Sequence, residues 1–125
     1  MLKIIIDGSA DMPEGWAEKY QFGIVSIPIQ IGGNTYYQGE NITPAQFYAL
    51  VQNKENQPKT AAPSPTRIKE MIESVCEAGE TVLSINVSGK MSATVRMVQQ
   101  AAEELKDKIN VIPFDSDAGS AVIAL

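Results

Sequence analysis

Three short stretches of this sequence combine hydroxyls, carboxylates and small residues: Asp7-Gly8-Ser9-Ala10-Asp11, Ser88-Gly89-Lys90-Met91-Ser92 and Asp115-Ser116-Asp117-Ala118-Gly119. Each follows an apolar run and precedes a helical pattern, and a fourth stretch, Thr60-Ala61-Ala62-Pro63-Ser64, enters another helix. Ser and Thr hydroxyls donate hydrogen bonds, and a helix N-terminus adds free N–H groups and partial positive charge. Gathered in one place, these groups suit a small anion such as a phosphate or a carboxylate. The same residue types are also the commonest helix caps and turn formers, so spacing alone leaves both readings open. Asp7, Asp11, Asp115 and Asp117 would offer oxygen ligands to a hard cation. Nothing in their spacing fixes a coordination geometry, and no metal is assigned.

Several chemistries are excluded. Gly89-Lys90 suggests a phosphate-binding loop, but that motif needs Gly where Ser84 stands and Ser or Thr where Met91 stands. A Ser-His-Asp triad is impossible within 125 residues that include no His. No GxGxxG fingerprint of dinucleotide binding occurs. Ser88 and Lys90 could form a Ser-Lys pair, yet an exposed loop lysine is the simpler reading. The net charge is −5 and no basic block is present, which argues against nucleic acid. Cys76 is the single cysteine and sits among Met71, Ile72 and Val75, so a buried thiol is expected rather than a disulfide. No segment approaches the ~20 apolar residues of a membrane span, and the apolar run at the N-terminus is too short for a signal peptide. A cytoplasmic location is the expectation.

The elements that must position these residues alternate. Leu2–Ile6 reads as a buried strand, followed by a helix from Pro13 to about Tyr20. Phe22–Ile31 reads as one strand in which Pro28 marks an edge or a bulge. Gly32-Gly33-Asn34 signals a hairpin into Thr35–Gln38. Thr43-Pro44-Ala45-Gln46 is a capping box, and its helix carries Phe47, Leu50 and Val51 on one face. Residues 53–63 read as a polar loop. Ser64 caps the next helix, in which Ile68, Met71, Ile72 and Val75 share a face and Gly79 is the expected C-terminal cap. Thr81–Val87 and Ile109–Phe114 are strands separated by a helix from Ser92, and a last apolar helix is expected from about Ala118 to Leu125. The pattern predicts one α/β domain over residues 1–125: a mostly parallel sheet flanked by helices on both faces, with a short antiparallel hairpin.

The order of these corners resembles the DegV family of bacterial fatty-acid-binding proteins. Asp7-Gly8-Ser9-Ala10-Asp11-Met12-Pro13 is similar to that family's D-S-[ST]-x-D-L-P opening, and Thr60-Ala61-Ala62-Pro63-Ser64 to its T-S-Q-P-S motif. Ser88-Gly89-Lys90-Met91-Ser92-Ala93-Thr94 is similar to S-S-x-L-S-G-T, and Asp115-Ser116 to a D-S pair after another strand. The resemblance runs over nearly the whole chain but reaches only the first of the family's two domains. It implies an acyl chain held in an apolar tunnel, with the carboxylate bound by Thr60 and Ser92 and with Ser88 and Thr94 nearby. Asp7, Ser9, Ser64, Asp115 and Ser116 would belong to the supporting loops. It also implies a second domain absent from this chain, no cofactor beyond the bound fatty acid, and a separate fatty acid kinase as partner. Gly8, Ala61, Ala62 and Ala93 depart from the motifs, which alters ligand contacts. The alternative is an enzyme acting on a small acidic or phosphorylated metabolite at the same sheet edge, with Asp7 or Asp115 as general base.

Overall fold

The structure is a computed structural model and describes residues 1–120. Its elements are β1 (Leu2–Asp7), α1 (Trp16–Tyr20), β2 (Gly23–Val25), β3 (Pro28–Ile31), β4 (Asn34–Tyr37), α2 (Pro44–Val51), β5 (Lys59–Thr60), α3 (Pro65–Val75), β6 (Thr81–Asn86), α4 (Thr94–Leu105) and β7 (Asn110–Asp115). Strands β2-β1-β6-β7 form a parallel sheet in that order, and β4-β3-β5 form a small antiparallel sheet. The expected class is therefore observed. The helix expected from about Ala118 falls mainly on residues 121–125, outside the described residues.

The core lies between one face of the parallel sheet and helices α3 and α4. Ile5, Val25, Val82 and Val111 point from the strands into Ile68 and Ile72 of α3 and Val98, Ala101 and Leu105 of α4. Both helices bury the stripe that their i, i+3, i+4 spacing marks. Parallel crossovers are right-handed, and β1 leads to β2 in one direction while β2, β6 and β7 succeed one another in the other. This assigns α1 to the opposite face from α3 and α4. Helix α1 has only five residues and buries none of them. On that face Ile24, Ile6, Ile85 and Phe114 form one cross-strand row, and Ile4, Leu83 and Ile112 the next. Ile4, Ile24, Ile112 and Phe114 are exposed in the described structure.

Local chemistry explains where the structure departs from the sequence expectation. The run Phe22–Ile31 is not one strand. Val25 ends β2 in the parallel sheet, and Pro28 opens β3 in the other sheet, so the chain changes sheets at Ser26-Ile27. Proline has no N–H to give a ladder, which suits a strand's first residue. The helix expected from Pro13 starts only at Trp16, because Gly15 adopts a left-handed φ of 81° before it. Helix α4 starts at Thr94 rather than Ser92. Gly79 is not the cap of α3. That helix ends at Val75 with Cys76 extended, and the Gly79 N–H donates to the Lys108 carbonyl at 2.7 Å. The expected polar loop of residues 53–63 contains the short strand β5. The hairpin is as expected, with Gly32 and Gly33 both at positive φ between paired Ile31 and Asn34. Thr43 closes its capping box with Gln46, and Ser64 accepts from the Arg67 N–H at 3.2 Å.

Candidate functional site

The carboxyl ends of β1, β6 and β7 lie on the same sheet edge, so the three small-residue corners meet there. Two aspartates tie them together. Asp7 is 1 % exposed and accepts from the Ser9 N–H and hydroxyl, both at 2.9 Å, and from the Val87 N–H at 3.1 Å. It therefore locks the end of β1 to the end of β6. Asp115 accepts from the Gly89 N–H at 3.1 Å and the Asp117 N–H at 2.9 Å, locking β7 to the loop after β6. A Cβ on Gly89 would lie 2.9 Å from Asp115 Oδ2 and 3.1 Å from Val95 Cγ1, so a side chain here would displace that carboxylate. The Asp117 carboxylate accepts from the Ser88 hydroxyl at 3.4 Å and pairs with Lys90 at 3.2 Å. The Ser120 hydroxyl donates to Asp11, which brings the first and third corners into contact.

The four expected ligand residues differ in access. Ser88 is 4 % exposed, and Thr94 is 1 % exposed. Neither hydroxyl faces open solvent. Ser92 is half-buried, with its hydroxyl 2.9 Å from the Thr94 hydroxyl, and it accepts from the Thr94 N–H at 3.2 Å. The residue before α4 is Ala93, which has no side chain to cap the helix, so the Ser92 hydroxyl partly takes that role. Thr60 lies elsewhere. It is exposed on β5, paired opposite Ile29, and makes no side-chain hydrogen bond to Ser88, Ser92 or Thr94. The structure thus joins Ser88, Ser92 and Thr94 in one loop and holds Thr60 on the small sheet. Of the supporting residues, Asp7, Ser9, Asp115 and Ser116 all lie at the converging corners. Ser116 accepts from the Ala118 N–H at 3.2 Å, whereas Ser64 is engaged as the α3 cap.

The two candidate bases differ in access: Asp115 is exposed, whereas Asp7 is buried. Among the described residues, no group of three or more His, Cys, Asp and Glu side chains comes together. Asp7, one of the two candidate bases, is shut off from solvent and engaged by three donors, whereas a general base must reach a substrate proton.

Two features carry no spacing signal in the sequence. Asn86 is fully buried at the end of β6, and its amide donates to the Ser84 carbonyl at 3.0 Å and the Phe114 carbonyl at 3.2 Å. The second is an ion pair 27 positions apart. Arg67 Nη2 lies 2.8 and 2.7 Å from the two carboxylate oxygens of Glu40, and the guanidinium stacks 3.8 Å from the Tyr37 ring centroid. The Arg67 hydrogen bond, followed by one from Ser26, holds the Glu40 carboxyl below its ordinary range. A cavity of about 280 Å³ opens beside this pair, lined by Val25, Pro63, Ile68 and Met71 together with Glu40 and Arg67.

In parallel α/β sheets ligands bind outside the carboxyl ends of the strands, where the hydroxyl-rich loops of this chain lie. Comparison with known proteins gives the family. The family model described as an uncharacterised protein of the DegV family matches residues 1–125. The chain belongs to the DegV family. A DegV domain-containing protein of Listeria innocua is 31 % identical over 117 residues, covering 93 % of this chain and 41 % of the relative. A Thermus thermophilus DegV family protein described by its fatty acid binding superposes with a TM-score of 0.78 at 28 % identity, over 96 % of this chain and 42 % of that one. DegV of Bacillus subtilis, described as a fatty acid binding protein, shares the fold with a TM-score of 0.84 at 23 % identity, over 96 % of this chain and 42 % of that one. The chain thus spans about two fifths of the length of the relatives it matches. No helix among the described residues is long and apolar enough to cross a membrane.

Proposed function

We propose that this chain binds a long-chain fatty acid, with the carboxylate held at the Ser92 corner and the acyl chain in apolar space of the α/β domain. The observation that carries this reading is the half-buried Ser92 hydroxyl, set at the start of α4 beside the non-capping Ala93, where the small-residue corners converge. The family membership supports it, as does the fatty acid binding described for the Thermus thermophilus relative. Ser88 and Thr94 are supporting groups: Thr94 orients the Ser92 hydroxyl, and Ser88 fixes the loop against Asp117. Thr60 is the second carboxylate contact, from the small sheet.

The energetics suit such a ligand. Each buried methylene contributes roughly 0.8 kcal/mol, so a long acyl chain supplies on the order of 10 kcal/mol before the cost of ordering it. The carboxylate must be hydrogen-bonded when it leaves water, and hydroxyls with helix N–H groups meet that need in a protein of net charge −5. In this reading residues 1–125 are the acyl-holding domain, and the protein is a cytoplasmic carrier that presents the carboxylate to a separate fatty acid kinase.

Titration of the protein with stearic acid tests the reading. Ser92→Ala should weaken binding about tenfold, the loss of one hydrogen bond to a charged group, with the melting temperature preserved. Equal affinity in both proteins would refute the assignment.

A further inference from the structure

The proposed carboxylate site draws on two substructures that are not continuous. Ser92 stands on the parallel sheet, whereas Thr60 stands on β5, which pairs with β3 at only two positions. The small sheet needs an anchor if Thr60 is to keep a fixed place. Strand β3 leaves the parallel sheet through the two residues Ser26-Ile27, and β5 leads on into α3 through residues 61–64.

Arg67 bridges the two substructures. It belongs to the first turn of α3, whose next residue, Ile68, is fully buried in the main core. The backbone beneath the guanidinium is therefore rigid. Its partners lie across the gap: Tyr37 ends β4 of the small sheet, and Glu40 follows it in the turn. Ser26, at the crossover between the sheets, lines the same cavity as Glu40 and Arg67. Exposed ion pairs usually contribute little, but here one guanidinium nitrogen reaches both Glu40 oxygens while the guanidinium plane stacks on Tyr37, so Arg67 holds two groups of the small-sheet segment at once. Lysine could reach the carboxylate but lacks the plane that stacks on Tyr37.

We infer that Arg67, through Glu40 and Tyr37, is the positioning residue that holds the small sheet and so places Thr60 for the fatty-acid carboxylate. This rests on the fatty-acid reading above. Arg67 need not touch the ligand. Its role is to fix the distance between the two halves of the site, because the chain that carries Thr60 enters α3 only a few residues before Arg67.

A double-mutant cycle tests it, with stearic acid affinity measured for the wild type, Arg67→Ala, Arg67→Lys, Thr60→Ala and Thr60→Ala/Arg67→Ala. Melting temperatures are recorded in parallel. Arg67→Ala and Arg67→Lys should each weaken binding about three- to tenfold. The double variant should bind no more weakly than Thr60→Ala alone, since the clasp has nothing left to position. The exchanged pair Glu40→Arg/Arg67→Glu should recover part of the affinity. Losses that add in the double variant would overturn the route through Thr60 and leave the fatty-acid reading standing. Unchanged affinity in Arg67→Ala would overturn the positioning role alone. A wild type that binds no stearic acid would overturn both.

Discussion

Asp7→Asn is the change that should show most clearly what the buried carboxylate does. The substitution preserves shape and removes charge. Asp7 has three donors around it: the Ser9 N–H, the Ser9 hydroxyl and the Val87 N–H. An asparagine has a single acceptor oxygen. If that oxygen stays with Ser9, the new amide NH₂ faces the Val87 N–H across 3.1 Å, two donors in contact inside the protein. A buried donor left without a partner costs about 1–3 kcal/mol. The surviving bonds also lose their charge assistance, which adds about 1 kcal/mol. The sum is about 2–4 kcal/mol. With a urea m-value of about 2 kcal/mol/M, the middle of the usual range, the unfolding midpoint should fall by about 1–2 M at unchanged m. Ser9→Ala removes one exposed-side bond and should cost less than about 1 kcal/mol. A midpoint for Asp7→Asn within 0.3 M of wild type (an allowance of about 10 %) would refute the claim that this carboxylate ties β1 to β6.

Three further outcomes follow from the packing and the charges. A Cβ at position 8 would lie 2.4 Å from the Val25 carbonyl oxygen, which already accepts the Gly8 N–H at 2.9 Å, so Gly8→Ala should destabilise by about 1–3 kcal/mol in urea melts. Burial pushes the Cys76 thiol pKa up, so an aromatic disulfide reagent at pH 8 should label it in urea and leave it unreacted in the native protein; rapid native labelling would contradict its place in the core. Glu40 has a folded pKa lowered chiefly by its Arg67 hydrogen bond. Its contribution is therefore full above the ordinary carboxylate value and is lost as pH falls through the lowered one. The pair is well exposed, so the effect is small. Carboxyl NMR should find the Glu40 midpoint below the ordinary carboxylate value, and Arg67→Ala should raise it; a midpoint that does not move in Arg67→Ala would contradict the pairing.

The fold was legible where residues report on their own neighbourhood. The β-branched runs of β1, β6 and β7, the capping box at Thr43 and the buried stripe of α3 each signal themselves locally. The sheet change at Ser26-Ile27 was not legible, because Phe22–Ile31 is apolar apart from Ser26 and Gln30, and periodicity cannot say which sheet each half joins. The start of α1 moved because Gly15 competes with Pro13 for the helix boundary. The hydroxyl corners were visible as a pattern, but their division was not. Ser88 and Thr94 turn inward while Ser92 and Thr60 retain access, and that depends on Asp117 and on the pairing of β5. Arg67, Glu40 and Tyr37 meet only through tertiary structure, so no motif announces them.

The most direct test of the central claim is native mass spectrometry of the protein as purified from cells, followed by denaturing analysis of what it releases. The account predicts a stoichiometric mass increment that leaves on unfolding and is identified as a long-chain fatty acid, diminished in Ser92→Ala. A protein that carries no such increment, and that acquires none after incubation with stearic acid, would contradict it.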